Sequence, residues 1–287
     1  MEEPSPGLSR PMSQGGLSDW LKSRQSKASL DGTDELKDLP EMKNPELLKY
    51  RNTHIDYYVV LQGDKPPEMD KYELFNKWTL ENGVIWPKVK WPVWFDDEYA
   101  GVQVLEDIEN REAFALIPYK IILSCRRTRE HPILGAICKK YPSCFEEGKA
   151  DDWEQLTLTL AVLYEMTLGL KSLWYPYLRI LPEDSRNLLP CFWSEHELET
   201  FQDEGLLLEL EGFKTEMDFY CDLFMKIMDE HPHIFPKEYH KEELFMSVFS
   251  NVISRCFGAG LDNTSLIPVA DLFNHGSIGS NIEVFNK

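Results

Sequence analysis

Residues 265–281 run SLIPVADLFNHGSIGSN, and the order of apolar and polar groups in that stretch decides how the rest of the chain is understood. Leu266, Ile267, Val269 and Ala270 form an apolar run of strand type, with Pro268 inside it. Proline has no N–H to give to a ladder, so Pro268 predicts an edge or bulge position. Asp271 follows the run, then Asn274 and His275, and then a Gly- and Ser-rich segment, 276–280, able to pass close to a ligand. A strand that ends on such polar side chains is a candidate binding site. A simple turn capped by Asn274 and His275 explains the same residues without a ligand.

Composition narrows the partners. At 287 residues the chain can bury a sizeable core, and its 30 basic against 49 acidic residues give a net charge of −19. Lysine and arginine supply the nonspecific part of nucleic-acid affinity, so this balance argues against a phosphate-backbone binder. A basic partner or substrate segment suits the field, which also serves solubility. The six cysteines, at 125, 138, 144, 191, 221 and 256, show no C-x-x-C spacing and are expected to be free thiols in a reducing compartment, cytoplasmic or nuclear. The acidic start MEEPSPGLSR lacks an apolar core, and the apolar run Leu156–Leu170 is interrupted by Glu165 and threonines, so no secretion signal or membrane span is expected. His231, His233 and His240 lie among prolines in HPHIFPKEYH and are expected to be exposed histidines, with no metal site.

Taken in order, residues 1–65 are rich in Ser, Pro, Gly and charge and are expected to be mostly disordered, with one short helix or strand within Glu46–Val60. Tyr72, Leu74, Phe75 and Trp78 recur at helical spacing, and Gly83 stops that helix. Strands are predicted at Trp91–Phe95, Ala100–Leu105 and Glu112–Ile117. From Asp151 to Arg255 the pattern is helical: a helix capped by Asp151 or Asp152 and ended by Gly169, a packed non-regular segment Leu173–Pro182, a capping box at Ser194–Glu197, a long helix from Gly205 to Asp229, and a last helix from His240 to Arg255. The expected organisation is a β-rich unit at 66–125, a helical insert at 126–250 and the start of a second β unit at 251–287. The Met and aromatic stripes of the helices are core.

DLFNH, preceded by Ser254-Arg255-Cys256-Phe257, resembles the "S-R-x-F … P-x-A-D-x-x-N-H" pattern of the SET-domain protein methyltransferases, in the branch that carries a large helical insert. The likeness extends to Phe75-Asn76-Lys77-Trp78 with Gly83, to Glu98-Tyr99-Ala100-Gly101 with Asp107-Ile108 and Ile117-Pro118, to the phrase Trp174–Pro182, and to Cys191-Phe192-Trp193-Ser194. It departs at Tyr99, where the family has glycine, and at Arg111-Glu112, where it has Gly-Glu. A tyrosine does not adopt positive φ cheaply, so the turn must differ in shape or approach its ligand less closely.

The resemblance implies an α+β fold of small SET-type sheets interrupted by a helical insertion and C-terminally incomplete. It also implies S-adenosyl-L-methionine as cofactor and methyl transfer to a lysine, or histidine, side chain of a protein, to which the acidic charge adds the expectation of a basic segment on that protein. Neither metal, nucleic acid nor membrane enters. Glu98, Tyr99, Ala100, Arg255, Asp271, Leu272, Phe273, Asn274 and His275 are the cofactor-binding positions it assigns. Among them Asn274 suits the zwitterionic end of the donor, Arg255 its carboxylate and His275, through its backbone, the adenine. The family's catalytic tyrosine falls beyond Lys287, so the chain as given is expected to transfer methyl groups poorly. A noncatalytic SET-like interaction module is the alternative. Either way, residues 98–100 must lie beside Asn274.

Overall fold

Asp70 opens the first helix. Its carboxylate accepts hydrogen bonds from the backbone N–H groups of Tyr72 and Glu73 at the start of α1 (Lys71–Glu81), and Gly83, at φ 84°, follows its end. The computed structural model describes residues 67–95, 99–110, 112–183, 189–258, 261–274 and 284. The expectations for residues 1–65, for Glu98, for His275 and for the 276–280 loop lie outside them.

α1 buries Leu74, Phe75 and Trp78. The rings of Tyr72 and Phe75 meet Trp91 edge-on at 5.4 and 5.3 Å, which pins the helix to β1 (Val89–Phe95). β1 pairs antiparallel with β2 (Tyr99–Val104), closing at Phe95 opposite Tyr99. The strand expected at Glu112–Ile117 is reduced to one bridge, Leu116 with Ile85. Pro87 and Pro118 stand just beyond the bridged residues and have no N–H to extend the ladder.

The second sheet joins distant parts of the chain. β3 (Leu123–Ser124), β4 (Cys256–Phe257) and β5 (Ser265–Leu266) pair antiparallel in the order β3-β5-β4, with Leu266 opposite both Leu123 and Cys256. The expected edge strand is therefore the central one, and it stops at Leu266. Its short length reconciles this with Pro268, which lies past the paired residues. Val269 then takes φ 80°, and Ala270–Leu272 forms a 3-10 turn in place of the predicted strand.

Between β3 and β4 the chain is mainly helical. Cys125–Glu130 (α2), Pro132–Lys140 (α3) and Pro142–Phe145 (α4) lead to α5 (Trp153–Leu168), which ends where Gly169 adopts φ 53°. Glu154 of α5 accepts hydrogen bonds from the N–H and the hydroxyl of Thr264, at 3.1 and 2.6 Å, and so holds the approach to β5. The segment expected to be non-regular contains α6 (Tyr175–Ile180), with Pro176 in its first turn, where a missing N–H costs nothing. The capping box at Ser194 is complete but opens only the short α7 (Glu195–Leu198). α8 (Glu204–Glu230) and α9 (Glu242–Arg255) follow, joined across the core by Phe224 and Phe245 at 4.7 Å.

His233 is exposed as expected, but His231 and His240 are half-buried. One nitrogen of the His240 ring lies 3.0 Å from Asp229 and the other 2.9 Å from the Phe235 carbonyl, so it ties the α8–α9 connection. All six cysteines are free.

One core runs through the described residues, from Phe75 and Leu123 to Tyr177, Phe245, Val269 and Leu272. Phe245 is fully buried within it. Phe245→Ala is predicted to cost about 3–5 kcal/mol, read as a lower urea midpoint at an unchanged slope; a loss below 1 kcal/mol would mean that α8 and α9 do not meet as described.

Candidate functional site

The site is built where the chain leaves β5. Val269 is the one non-glycine residue with positive φ among those described, and it is β-branched, a combination that costs about 1–3 kcal/mol. Its side chain is wholly buried, and its carbonyl accepts from the Leu272 N–H at 3.2 Å, so packing and the 3-10 turn hold it there. The effect is to reverse the chain within a few residues and send Asp271 inward while Asn274 stays exposed.

Asp271 is the hub. Its side chain is completely buried, and one carboxylate oxygen accepts a 2.8 Å hydrogen bond from the hydroxyl of Tyr177, on α6. The guanidinium of Arg255, at the end of α9, donates to the Asp271 carbonyl at 3.0 Å and stands 3.5 Å from the same carboxylate oxygen. The other carboxylate oxygen has no hydrogen-bond partner among the described residues. Burial raises the acid to about 6, against the pull of Arg255 and the Tyr177 hydroxyl, and burial with the neighbouring carboxylate pushes the Tyr177 phenol well above its ordinary range.

Asn274 closes the site from the other side. A Cβ placed on Gly101 of β2 would stand 3.3 Å from the Asn274 side-chain nitrogen and 2.9 Å from the Phe95 ring. Glycine at 101 is what lets the Asn274 amide and the strand come together. Phe273 adds a second join, its ring edge-on to Phe114 at 5.2 Å.

The structure thus brings Ala100 and Gly101, Arg255 and the turn 271–274 to one place. Tyr99 lies in the ladder opposite Phe95, so the hairpin accommodates it without the left-handed conformation that glycine would allow. Leu272 is part of the core, which leaves only its backbone to line a site. Arg255, assigned by sequence to a donor carboxylate, has one guanidinium nitrogen committed to Asp271. Tyr177 was missed; the density of aromatics in 173–182 was its only signal, since a buried tyrosine hydroxyl needs a partner.

No family model matches the chain. It is 27% identical over 194 residues to N-lysine methyltransferase setd6 of Danio rerio, covering 61% of this chain and 40% of that protein. It is 25% identical over 217 residues to the chloroplastic ribulose-1,5 bisphosphate carboxylase/oxygenase large subunit N-methyltransferase of Pisum sativum, covering 75% of this chain and 41% of the relative. Its fold superposes, with a TM-score of 0.61 and 25% identity, on the SET domain of LSMT solved with lysine and AdoHcy, covering 75% of this chain and 46% of that one. The chain is a relative of the SET-domain lysine methyltransferases. It spans about two fifths of the length of the curated relatives it matches.

In this SET-type frame the meeting of Gly101 with Asn274 joins the first β unit to the motif that follows the insert. Asp271 also makes the site sensitive to pH. Its acid is raised from 3.8 to about 6 on folding, so the folded state holds its proton more tightly than the unfolded chain. That contribution to stability is complete below about 4 and is lost as pH rises through about 6. Subtracting the unfolding free energy of Asp271→Asn from that of the wild type should leave a difference that shifts in favour of the wild type by up to about 3 kcal/mol between pH 7 and pH 4. A flat difference would mean that Asp271 is solvated.

Proposed function

We propose that this chain forms the S-adenosyl-L-methionine-binding part of a SET-type methyltransferase that transfers a methyl group to a lysine, or histidine, side chain of a protein. The observation that carries the proposal is the seating of the Asn274 amide on Gly101, directly beyond the turn held by Tyr177, Asp271 and Arg255. The related proteins are named as lysine methyltransferases, and the superposed SET domain was solved with lysine and AdoHcy.

The residues suit such a donor. S-adenosylmethionine supplies a methyl group on a sulfonium, so the protein's tasks are orientation, electrostatics and exclusion of water. Asn274 offers a donor and an acceptor on one exposed amide, the pairing an amino-acid zwitterion needs. Gly101 is buried, and the lack of a side chain there lets the Asn274 amide lie against β2. Arg255, with its side chain 23% exposed, keeps a positive field beside a carboxylate while anchored to Asp271. Glu98, Tyr99 and Ala100 at the hairpin end, with Phe273 and His275, complete the proposed cofactor contacts.

The substrate side rests on charge. A chain of net charge −19 attracts a basic protein segment and repels nucleic acid, and steering by such a field weakens with salt. Among the described residues no helix is long and apolar enough to cross a membrane. The six free cysteines fit a chain that works in a reducing compartment, cytoplasmic or nuclear.

Asn274→Ala should weaken S-adenosylhomocysteine binding by about 1–3 kcal/mol, measured by calorimetric titration of both proteins. Equal affinities, given that the wild type binds, would reduce Asn274 to a turn residue and remove the basis of the reading.

A further inference from the structure

We infer that Tyr177, a residue of the helical insert, is a positioning residue for the donor site, acting through Asp271 to hold the turn that places Asn274 against Gly101. The inference rests on the donor-site reading above and assigns the insert a part in it.

The geometry gives the path. Tyr177 is entirely buried on α6, far in sequence from β5, and its hydroxyl reaches the Asp271 carboxylate at 2.8 Å. Its ring packs near Phe75 of α1 at 6.4 Å, so the same residue touches the helix that carries the β1–β2 hairpin. Asp271 lies in the 3-10 turn that follows the strained Val269, and Asn274 comes three residues later. With one face of the carboxylate held by Tyr177 and the Asp271 carbonyl held by Arg255, the turn is fixed from the insert and from α9 at once. A hydroxyl that only filled space would not need an ionised partner. This one donates to a carboxylate whose second oxygen has no partner among the described residues, so the tyrosine bears on both the charge state and the place of Asp271.

This arrangement separates a positioning role from a structural one by pH. The charged and titratable groups that act on Asp271 are Arg255 and Tyr177, and Cys256 acts on Tyr177 in turn. The phenol is pushed up, the Cys256 thiol is pushed up to about 12 by burial, and a guanidinium stays charged, so Asp271 alone among them titrates between pH 5 and pH 8. Acidification adds to the fold's stability through Asp271 but weakens its hold on the Arg255 charge. Stability from this group and donor affinity therefore run in opposite directions as pH falls, whereas a merely structural tyrosine would move them together.

The experiment is calorimetric titration of S-adenosylhomocysteine into the wild type, Tyr177→Phe and Asp271→Asn from pH 5 to pH 8, with melting temperatures recorded alongside. The wild type should lose affinity as pH falls through about 6. Tyr177→Phe should bind roughly tenfold more weakly at pH 7.5, with its acid loss displaced to higher pH, because the hydroxyl favours the ionised carboxylate. Asp271→Asn should show no acid loss attributable to this site. Unchanged affinity and profile in Tyr177→Phe would overturn the inference while leaving the donor reading intact. Absence of wild-type binding at every pH would overturn the donor reading, and this inference with it. If Tyr177→Phe fails to fold, an acid loss that persists in Asp271→Asn is enough to overturn it.

Discussion

A buried carboxylate on a strained turn is the constraint from which the rest of the site follows. Asp271 cannot sit ionised in the core without partners, and among the described residues they come from two different elements: Tyr177 from the helical insert and Arg255 from the helix that returns to the sheet. Tyr177, Asp271 and Arg255 lie far apart in sequence and must be in register before the turn can form. A hydrogen bond to such a charge contributes about 1.5–3 kcal/mol, comparable to the cost of holding Val269 at positive φ.

From this turn the geometry passes outward. β5 is short and central, clamped by β3 and β4, and Glu154 holds Thr264 just ahead of it. The chain therefore enters the turn from a fixed point and leaves it toward β2, where Gly101 leaves room for Asn274. The helical insert is then more than a spacer between two β units: its α6 supplies the hydroxyl that reaches the hub, and α5 supplies Glu154. The proposed binding surface, made from strands separated so widely in the chain, needs this bracing, since local hydrogen bonds alone would not set the distance between hairpin and turn.

The sequence was legible where the physics is local. Gly83 and Gly169 stop their helices by adopting positive φ, and Ser194 with Glu197 forms the capping box that the spacing implies. The pairing of Ser254–Phe257 with Asp271–Asn274 was legible through resemblance: Arg255 donates to the Asp271 carbonyl, and Asn274 lies beside Gly101 of the first hairpin. What failed was nonlocal. The apolar run after Ser265 looked like a longer edge strand because period and composition do not reveal that Val269 turns the chain back. Leu116 could not extend its single bridge between Pro87 and Pro118, a limit set in part by the partner segment and not only by its own. Tyr177 looked like general packing because its partner lies on another element, and His240 looked exposed because the carbonyl it meets belongs to a turn.

The central claim is that the hairpin and the turn after β5 form one donor site, and the most direct measurement is a nitrogen-15 amide NMR titration with S-adenosylhomocysteine. The account predicts that the Gly101 backbone amide and the Asn274 side-chain amide shift together along one saturating curve, while Gly212, on the open side of α8, stays still. Saturable shifts confined to residues away from both Gly101 and Asn274, or no shifts at all, would contradict it.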